Sequence, residues 1–238
     1  MEWIGVLTGD IVDSTKLTSI ERARLEERLN EGLTKIVGKQ NYELYRGDSF
    51  QIVINEPSTA LRTAIKIRCL LRKSLIKEDL YNEAKETYPS EKKGRNLSTL
   101  HFSYKKNVVD ARISIGIGAK GYSSQNIKTS DGEAFQLSGR TLDNLKSKGQ
   151  KLVVTTQNKP FNDYIDVICS FLDVFINNWS LQQAEVVYEL LEGKKQIEIA
   201  EMINIKQASV SQRINTAHWQ EIEKAINLFE KKVKEIYE

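Results

Sequence analysis

Gly9-Asp10-Ile11-Val12-Asp13-Ser14-Thr15 is the stretch whose reading decides the fold. An apolar run, Trp3-Ile4-Gly5-Val6-Leu7, precedes it and has the length of a buried strand. A helical pattern follows from Thr18. A strand that ends in Gly-Asp and feeds a helix sets a carboxylate at the mouth of a sheet, where α/β folds bind ligands. Asp and Ser in such a turn also satisfy backbone donors, so the stretch by itself leaves a plain turn and a ligand site both open.

Outward from it, Thr18 with Glu21 makes a capping box, and Leu25, Leu29, Leu33 and Ile36 recur at helical spacing up to Gly38. Residues 42–46 and 49–54 alternate as two strands of a hairpin, with Gly47-Asp48 supplying the turn. Pro57 and Ser58 open a second helix, striped by Leu61, Ala64, Ile65, Arg68, Leu71 and Leu75. The pattern then dissolves into a polar, basic insertion at about 77–107, read as a solvated surface. Order resumes with an alternating strand at 110–118. Its Gly116-Ile117-Gly118 lacks the third glycine of a dinucleotide fingerprint and instead permits close approach of a helix or ligand. A loop at 123–130, a helix at 131–147 and a strand at 151–155 follow. Strands alternating with helices, plus one hairpin, predict an α+β sandwich with a mixed sheet over residues 1–158.

Lys159-Pro160-Phe161 marks a boundary, beyond which every periodic segment of 161–238 is helical. Tyr164, Val167, Ile168, Phe171, Leu172 and Phe175 read as one apolar stripe. Ser180 with Gln183 caps the next helix, which stops at Gly193. Two short helices follow at 196–203 and from Gln207 to about Ala217, the latter expected to run on to Glu235.

Bulk properties narrow the class. With 238 residues, 40% hydrophobic and 28% charged, the chain has an ordinary globular composition. Two cysteines, Cys69 and Cys169, sit among apolar helical residues and read as buried thiols rather than a disulfide framework. With His101 and His218 they do not make a zinc site by spacing. The start has no signal-peptide pattern and no apolar run spans a bilayer, so a cytoplasmic protein without membrane contact is expected. The net charge of +3 hides an asymmetry: from Phe161 onward there are 13 acidic against 8 basic residues.

Within the tail, Ile199, Ala200, Ile203, Ile205, Val210 and Ile214 can close a small core between two crossed helices. Lys206, Gln207, Ala208, Ser209, Ser211, Gln212 and Arg213 then fall on or beside the outward side of the second, where short polar side chains suit base edges in a major groove. The segment about 180–217 resembles the helix-turn-helix of the promoter-reading domain of bacterial sigma factors, which implies DNA as a partner.

Three segments of the first half also share one likeness. The stretch from Asp10 to Leu17, the Gly47-Asp48-Ser49-Phe50 turn, and the Gly132 to Arg140 helix resemble, in order and interval, the metal-binding and transition-state segments of class III nucleotidyl cyclases and diguanylate cyclases. Across nearly its full length the chain resembles the SatD family of bacterial proteins. The resemblance implies a ferredoxin-type nucleotidyl-cyclase-like sandwich followed by an all-α helix-turn-helix domain. It implies Asp10, the Ile11 carbonyl and Asp48 as ligands of Mg²⁺ or Mn²⁺, and the amides of Val12, Asp13, Ser14 and Thr15 on phosphate oxygens. Arg140 and Gln136 would act on the transition state, a nucleoside triphosphate would be the ligand, and the chain would pair as a homodimer. Two positions depart from the pattern: Gln136 stands for an Asn, and Leu44 for a base-reading Lys. These readings imply a DNA-binding transcriptional regulator with a nucleotide-sensing or dimerising domain. The alternative is a Mg²⁺-dependent cyclase making a cyclic or dinucleotide product.

Overall fold

The computed structural model describes residues 2–74, 108–121 and 131–238; Leu75, the insertion at about 77–107 and the 123–130 loop lie outside the described residues. Strand β1 (Trp3–Ile11) is the centre of a five-stranded sheet. Its neighbours are β3 (Ser49–Ile54) and β4 (Ala111–Ala119), both antiparallel to it. β2 (Tyr42–Tyr45) forms one edge by its hairpin to β3, and β5 (Leu152–Thr155) forms the other, parallel to β4. The order β2-β3-β1-β4-β5 is the mixed α+β sheet that the sequence predicts.

Period-two side-chain alternation divides the sheet into two different faces. Leu7, Ile11, Phe50, Ile52, Ile113, Ile115, Leu152 and Val154 point into the main core. There they meet α1 (Ser19–Val37) and α2 (Ala60–Ser74). Helix α1 begins at the Thr18–Glu21 capping box that the sequence shows, with the Thr18 side chain accepting from the Glu21 amide and the Glu21 side chain accepting from the Thr18 amide. On the opposite face Ile4, Val6 and Val53 meet α3 (Glu133–Lys148), and Val153 meets Leu142 and Leu145 of the same helix.

Gly116 and Gly118 are what let α3 lie on the sheet. A Cβ on Gly116 would stand 2.2 Å from the Ala134 carbonyl oxygen, and one on Gly118 2.7 Å from the Ala134 amide. Both obstacles are backbone, so neither can swing aside. Gly116→Ala is therefore expected to cost about 3 kcal/mol or more, the upper end for overpacking, read as a lower urea midpoint at unchanged m-value.

The helices of the second half are α4 (Lys159–Asn178), α5 (Leu181–Leu191), α6 (Gln196–Met202), α7 (Gln207–Thr216) and α8 (Trp219–Tyr237). They share one continuous core with the sheet: Phe161, Ile165, Cys169, Leu172 and Ile176 pack into the cluster that holds Leu152 and Val154. α8 returns to the first half, where Arg62 pairs with Glu230 at 2.7 Å and the Ser58 amide donates to Glu238. Among the described residues no helix is long and apolar enough to cross a membrane.

Two expectations are corrected here. The stripe read on α4 is borne out only in part: Leu172 is buried and Tyr164, Ile168 and Phe175 pack partly against the core, but Val167 and Phe171 are exposed, and Phe161, Ile165, Cys169 and Ile176 complete the buried face. The helix is apolar on most of its circumference, so spacing alone does not choose the face. Nor does the helix from Gln207 run through to Glu235. It ends at Thr216, because His218 takes a left-handed backbone (φ 56°) and caps α8, and the Trp179 indole donates to the Ala217 carbonyl at 2.9 Å.

Candidate functional site

The ladder brings Asp10 of the opening stretch and the hairpin turn that carries Asp48 to the same end of the sheet. Asp10 pairs with Ser49 across β1–β3, so Asp48 lies one residue from its partner. The backbone of Asp48 accepts the Ile11 amide at 2.8 Å. Its carboxylate accepts the Ser14 hydroxyl at 2.8 Å and the Ser49 hydroxyl at 3.3 Å. The turn and the loop after β1 are thus stitched together, and Ile11 occupies the last position of β1 between them.

On the other side of β1, Asp10 pairs in register with Arg112 of β4. The guanidinium grips both carboxylate oxygens, Nε on Oδ1 at 2.8 Å and an Nη on Oδ2 at 3.1 Å. Arg112 was not singled out in the sequence. Its signal is register: an arginine at the start of the strand that pairs with the Gly-Asp strand must face the same way as Asp10.

Donor chemistry suits a magnesium ion. Two carboxylates and a carbonyl are hard oxygen ligands, and Mg²⁺ takes one or two carboxylates with water and phosphate oxygens completing its shell. Among the described residues no cluster of three or more His, Cys, Asp or Glu stands ready to hold a metal, so the protein's share would be this pair. In the structure the cation facing Asp10 is Arg112.

The loop itself is partly committed. Asp13 takes a left-handed conformation (φ 59°) and starts a single 3₁₀ turn at Ser14–Lys16. The Val12 amide donates to the Asp110 carbonyl at 2.8 Å, so it does not serve a phosphate as the sequence implied. The amides of Asp13, Ser14 and Thr15 remain for that task. Three cations lie near, each paired with an aspartate: Lys16 with Asp13, Arg112 with Asp10 and Lys151 with Asp110. A hydrogen bond from Lys16 holds the Asp13 carboxyl below its ordinary range, and the charges of Lys16, Arg112 and Lys151 add to it.

Gln136 and Arg140, which the resemblance assigns to the transition state, lie elsewhere. Ala134, Ser138 and Leu145 of α3 face the sheet, and Ser138 hydrogen-bonds Thr8 of β1 at 2.8 Å. At about 100° per residue, Gln136 and Arg140 fall on the far side of the helix, and both are exposed. Within one chain they are turned away from Asp10 and Asp48. The Leu44 position is also turned away: its side chain packs against the main core, while Tyr45 and Glu43 share the site's face. The Tyr45 hydroxyl donates to Gln51 at 3.2 Å and is pushed up to about 12 by burial, with Glu43 adding, so it stays protonated.

The helix-turn-helix is formed by α6 and α7, with Asn204 in a left-handed turn (φ 52°) between them. Ile199, Ala200, Val210 and Ile214 are buried, and Ile203 and Ile205 pack partly against them, as their spacing predicts. Lys206, Gln207, Ala208 and Gln212 are exposed. Ser209, Ser211 and Arg213 are only half exposed, and Arg213 turns back to Glu185 of α5 at 3.6 Å. Of the expected DNA-facing set, four residues are fully presented.

No protein-family model and no curated protein matches the chain. Among solved structures, a bacterial light-regulated adenylyl cyclase is similar over 64% of this chain and 75% of its own, at 20% identity and a TM-score of 0.38. A second structure described in the same words is similar over 64% of this chain at 18% identity and a TM-score of 0.35. Of that second protein the chain spans 43% of the length.

Proposed function

We propose that this chain is a nucleotidyl-cyclase-like protein that takes a nucleoside triphosphate with a divalent cation beside Asp10 and Asp48. The observation that carries this reading is the placement of Asp10 and of the Asp48 turn beside one loop, where the Ser14 hydroxyl binds the Asp48 carboxylate and the 13–15 amides are left over. Asp10 and Asp48 would hold Mg²⁺ or Mn²⁺, and the amides of Asp13, Ser14 and Thr15 would meet phosphate oxygens. The metal, when bound, supplies Lewis-acid polarisation of the phosphoryl group. Arg140 and Gln136 face outward, so turnover needs a second chain to bring its own α3 to this site. That makes a homodimer part of the reading. Incubating the purified protein with each nucleoside triphosphate and Mg²⁺ or Mn²⁺, followed by mass spectrometry, tests it. A cyclic or dinucleotide product supports turnover; unchanged triphosphate leaves a binding site whose role is sensing, provided the triphosphate is retained in equilibrium dialysis.

A second reading concerns the tail and rests on a different observation: α7 buries Val210 and Ile214 while presenting Lys206, Gln207, Ala208 and Gln212. That arrangement suits a helix that enters a major groove, and it supports reading the chain as a DNA-binding regulator whose first half senses a nucleotide. Selection of bound duplexes from a random pool, followed by footprinting, tests it. Gln212→Ala is expected to weaken the selected site by about 1–3 kcal/mol and relax preference at one base position. Equal protection of selected and random duplexes would sink the idea.

A further inference from the structure

One buried polar network runs from the candidate phosphate loop to the end of α7. It begins at Asp110, whose carbonyl accepts the Val12 amide of the loop at 2.8 Å. The Asp110 carboxylate is gripped by Arg68 of α2, Nε at 2.9 Å and an Nη at 2.8 Å, by Lys151 at 3.0 Å, and by Arg72 of α2 at 3.2 Å. Arg72 reaches onward to α4 and the link beyond it, donating to the carbonyls of Asn177 at 2.8 Å and Trp179 at 3.2 Å. The Trp179 indole closes the path on the Ala217 carbonyl at 2.9 Å. Four consecutive hydrogen-bonded links thus connect Val12 to the residue that follows the recognition helix.

Within this path one joint is under-satisfied. Arg68 has a partner at each of its three nitrogens, Asp173 and Asn177 included. The Nε of Arg72, by contrast, is buried without a hydrogen-bond partner. The orphaned N–H carries a free-energy cost that another arrangement of the guanidinium, between the carboxylate on one side and the two carbonyls on the other, would recover. Arg72 is thus the joint of the path that has an unmet hydrogen bond.

We propose that Arg72 couples the two halves, so that an anion bound at the Asp13–Thr15 amides, pulling on Val12 and Asp110, shifts Arg72 between Asp110 and the Asn177 and Trp179 carbonyls and alters the order of α7. The proposal rests on the triphosphate reading of that loop. Arg72 here is a positioning residue, touching neither ligand. The probe is inorganic triphosphate, and separately ATP and GTP, each with Mg²⁺, added to the full chain and followed by amide hydrogen exchange. In the unmodified protein, exchange at residues 11–17 is expected to slow on binding, and exchange at 207–219 to change by about fivefold or more.

Arg72→Met is expected to keep the slowing at 11–17 and abolish the change at 207–219. Trp179→Phe, which keeps an aromatic side chain but removes the indole N–H that donates to Ala217, is expected to do the same, and serves if the Arg72 variant does not fold. Slowing at 11–17 with no response at 207–219 in the unmodified protein overturns the coupling alone. A response at 207–219 that survives in both variants overturns the route through Arg72. No slowing at 11–17 with any of the three probes overturns the triphosphate reading, and the coupling with it.

Discussion

Arg68→Ala is expected to cost the fold about 3–5 kcal/mol, because removing one partner of a buried ion cluster strands the others. The Arg68 side chain is fully buried, and it answers Asp110, Asp173 and Asn177 from α2. Asp173 in turn accepts the Lys151 and Leu152 amides at the start of β5, at 2.7 and 3.1 Å. The cluster therefore joins α2, α4 and the two strands β4 and β5 at a single point. Urea unfolding followed by far-UV circular dichroism measures the loss. Arg68→Lys, which keeps the charge but not the fork, is expected to fall between.

Acid should expose the same cluster. Burial by itself would raise the Asp110 carboxyl, but the Arg68 guanidinium outweighs it, with Arg72 and Lys151 adding, and holds the group well below its ordinary value of 3.8. A carboxyl depressed in the folded chain contributes stability above its unfolded value and loses it as the pH falls toward the folded one. The unmodified protein is expected to weaken progressively below about pH 4. The gap between it and Arg68→Ala should narrow over the same range. A gap that stays constant from pH 7 down to acid unfolding would show that the ion cluster is not its source.

The second large effect falls on the loop. Asp48→Asn is expected to lower Mg²⁺-dependent triphosphate affinity by about a hundredfold or more, since loss of a first ligand should exceed the 10–100-fold of an outer-shell change. The same substitution keeps one acceptor oxygen, for the Ser14 hydroxyl, and turns the other position into an N–H that can donate to the Ser49 hydroxyl, so the turn should survive, with a melting temperature close to that of the unmodified chain. Chelation by EDTA should reproduce the loss without any substitution. Asp10→Asn carries a second consequence, because it breaks the paired grip of Arg112. Isothermal titration of both variants separates metal loss, common to both, from release of Arg112, peculiar to Asp10. Unchanged affinity in Asp48→Asn would remove Asp48 from the metal set.

Much of the scaffold was legible from local chemistry. The Thr18–Glu21 and Ser180–Gln183 boxes both form, because a cap is decided within four residues. The hairpin around Gly47-Asp48, the close approach at Gly116 and Gly118, and the small core of the helix-turn-helix are likewise properties of short spacing. The edge of the buried face on α4 was not legible, since its apolar arc is wider than the face it buries and takes in the exposed Val167 and Phe171. The break at His218 was missed for a related reason: no glycine or proline announces it, and the contact that holds it comes from Trp179, 38 residues away.

The division at the candidate site is sharper still. Sequence by itself named the candidates, Asp10, Asp48 and the 12–15 amides, and placed them at a strand end and a hairpin turn. Only the tertiary structure decided their company. Strand register, a matter of pairing between distant segments, set Arg112 against Asp10 and drew the Val12 amide to Asp110. Helix docking over two glycines turned Arg140 and Gln136 outward. Such pairings are non-local, and a one-residue change of register would reverse every face of the sheet. That is why the acidic pair could be named from the chain, while its arginine partner and the buried network behind it could not.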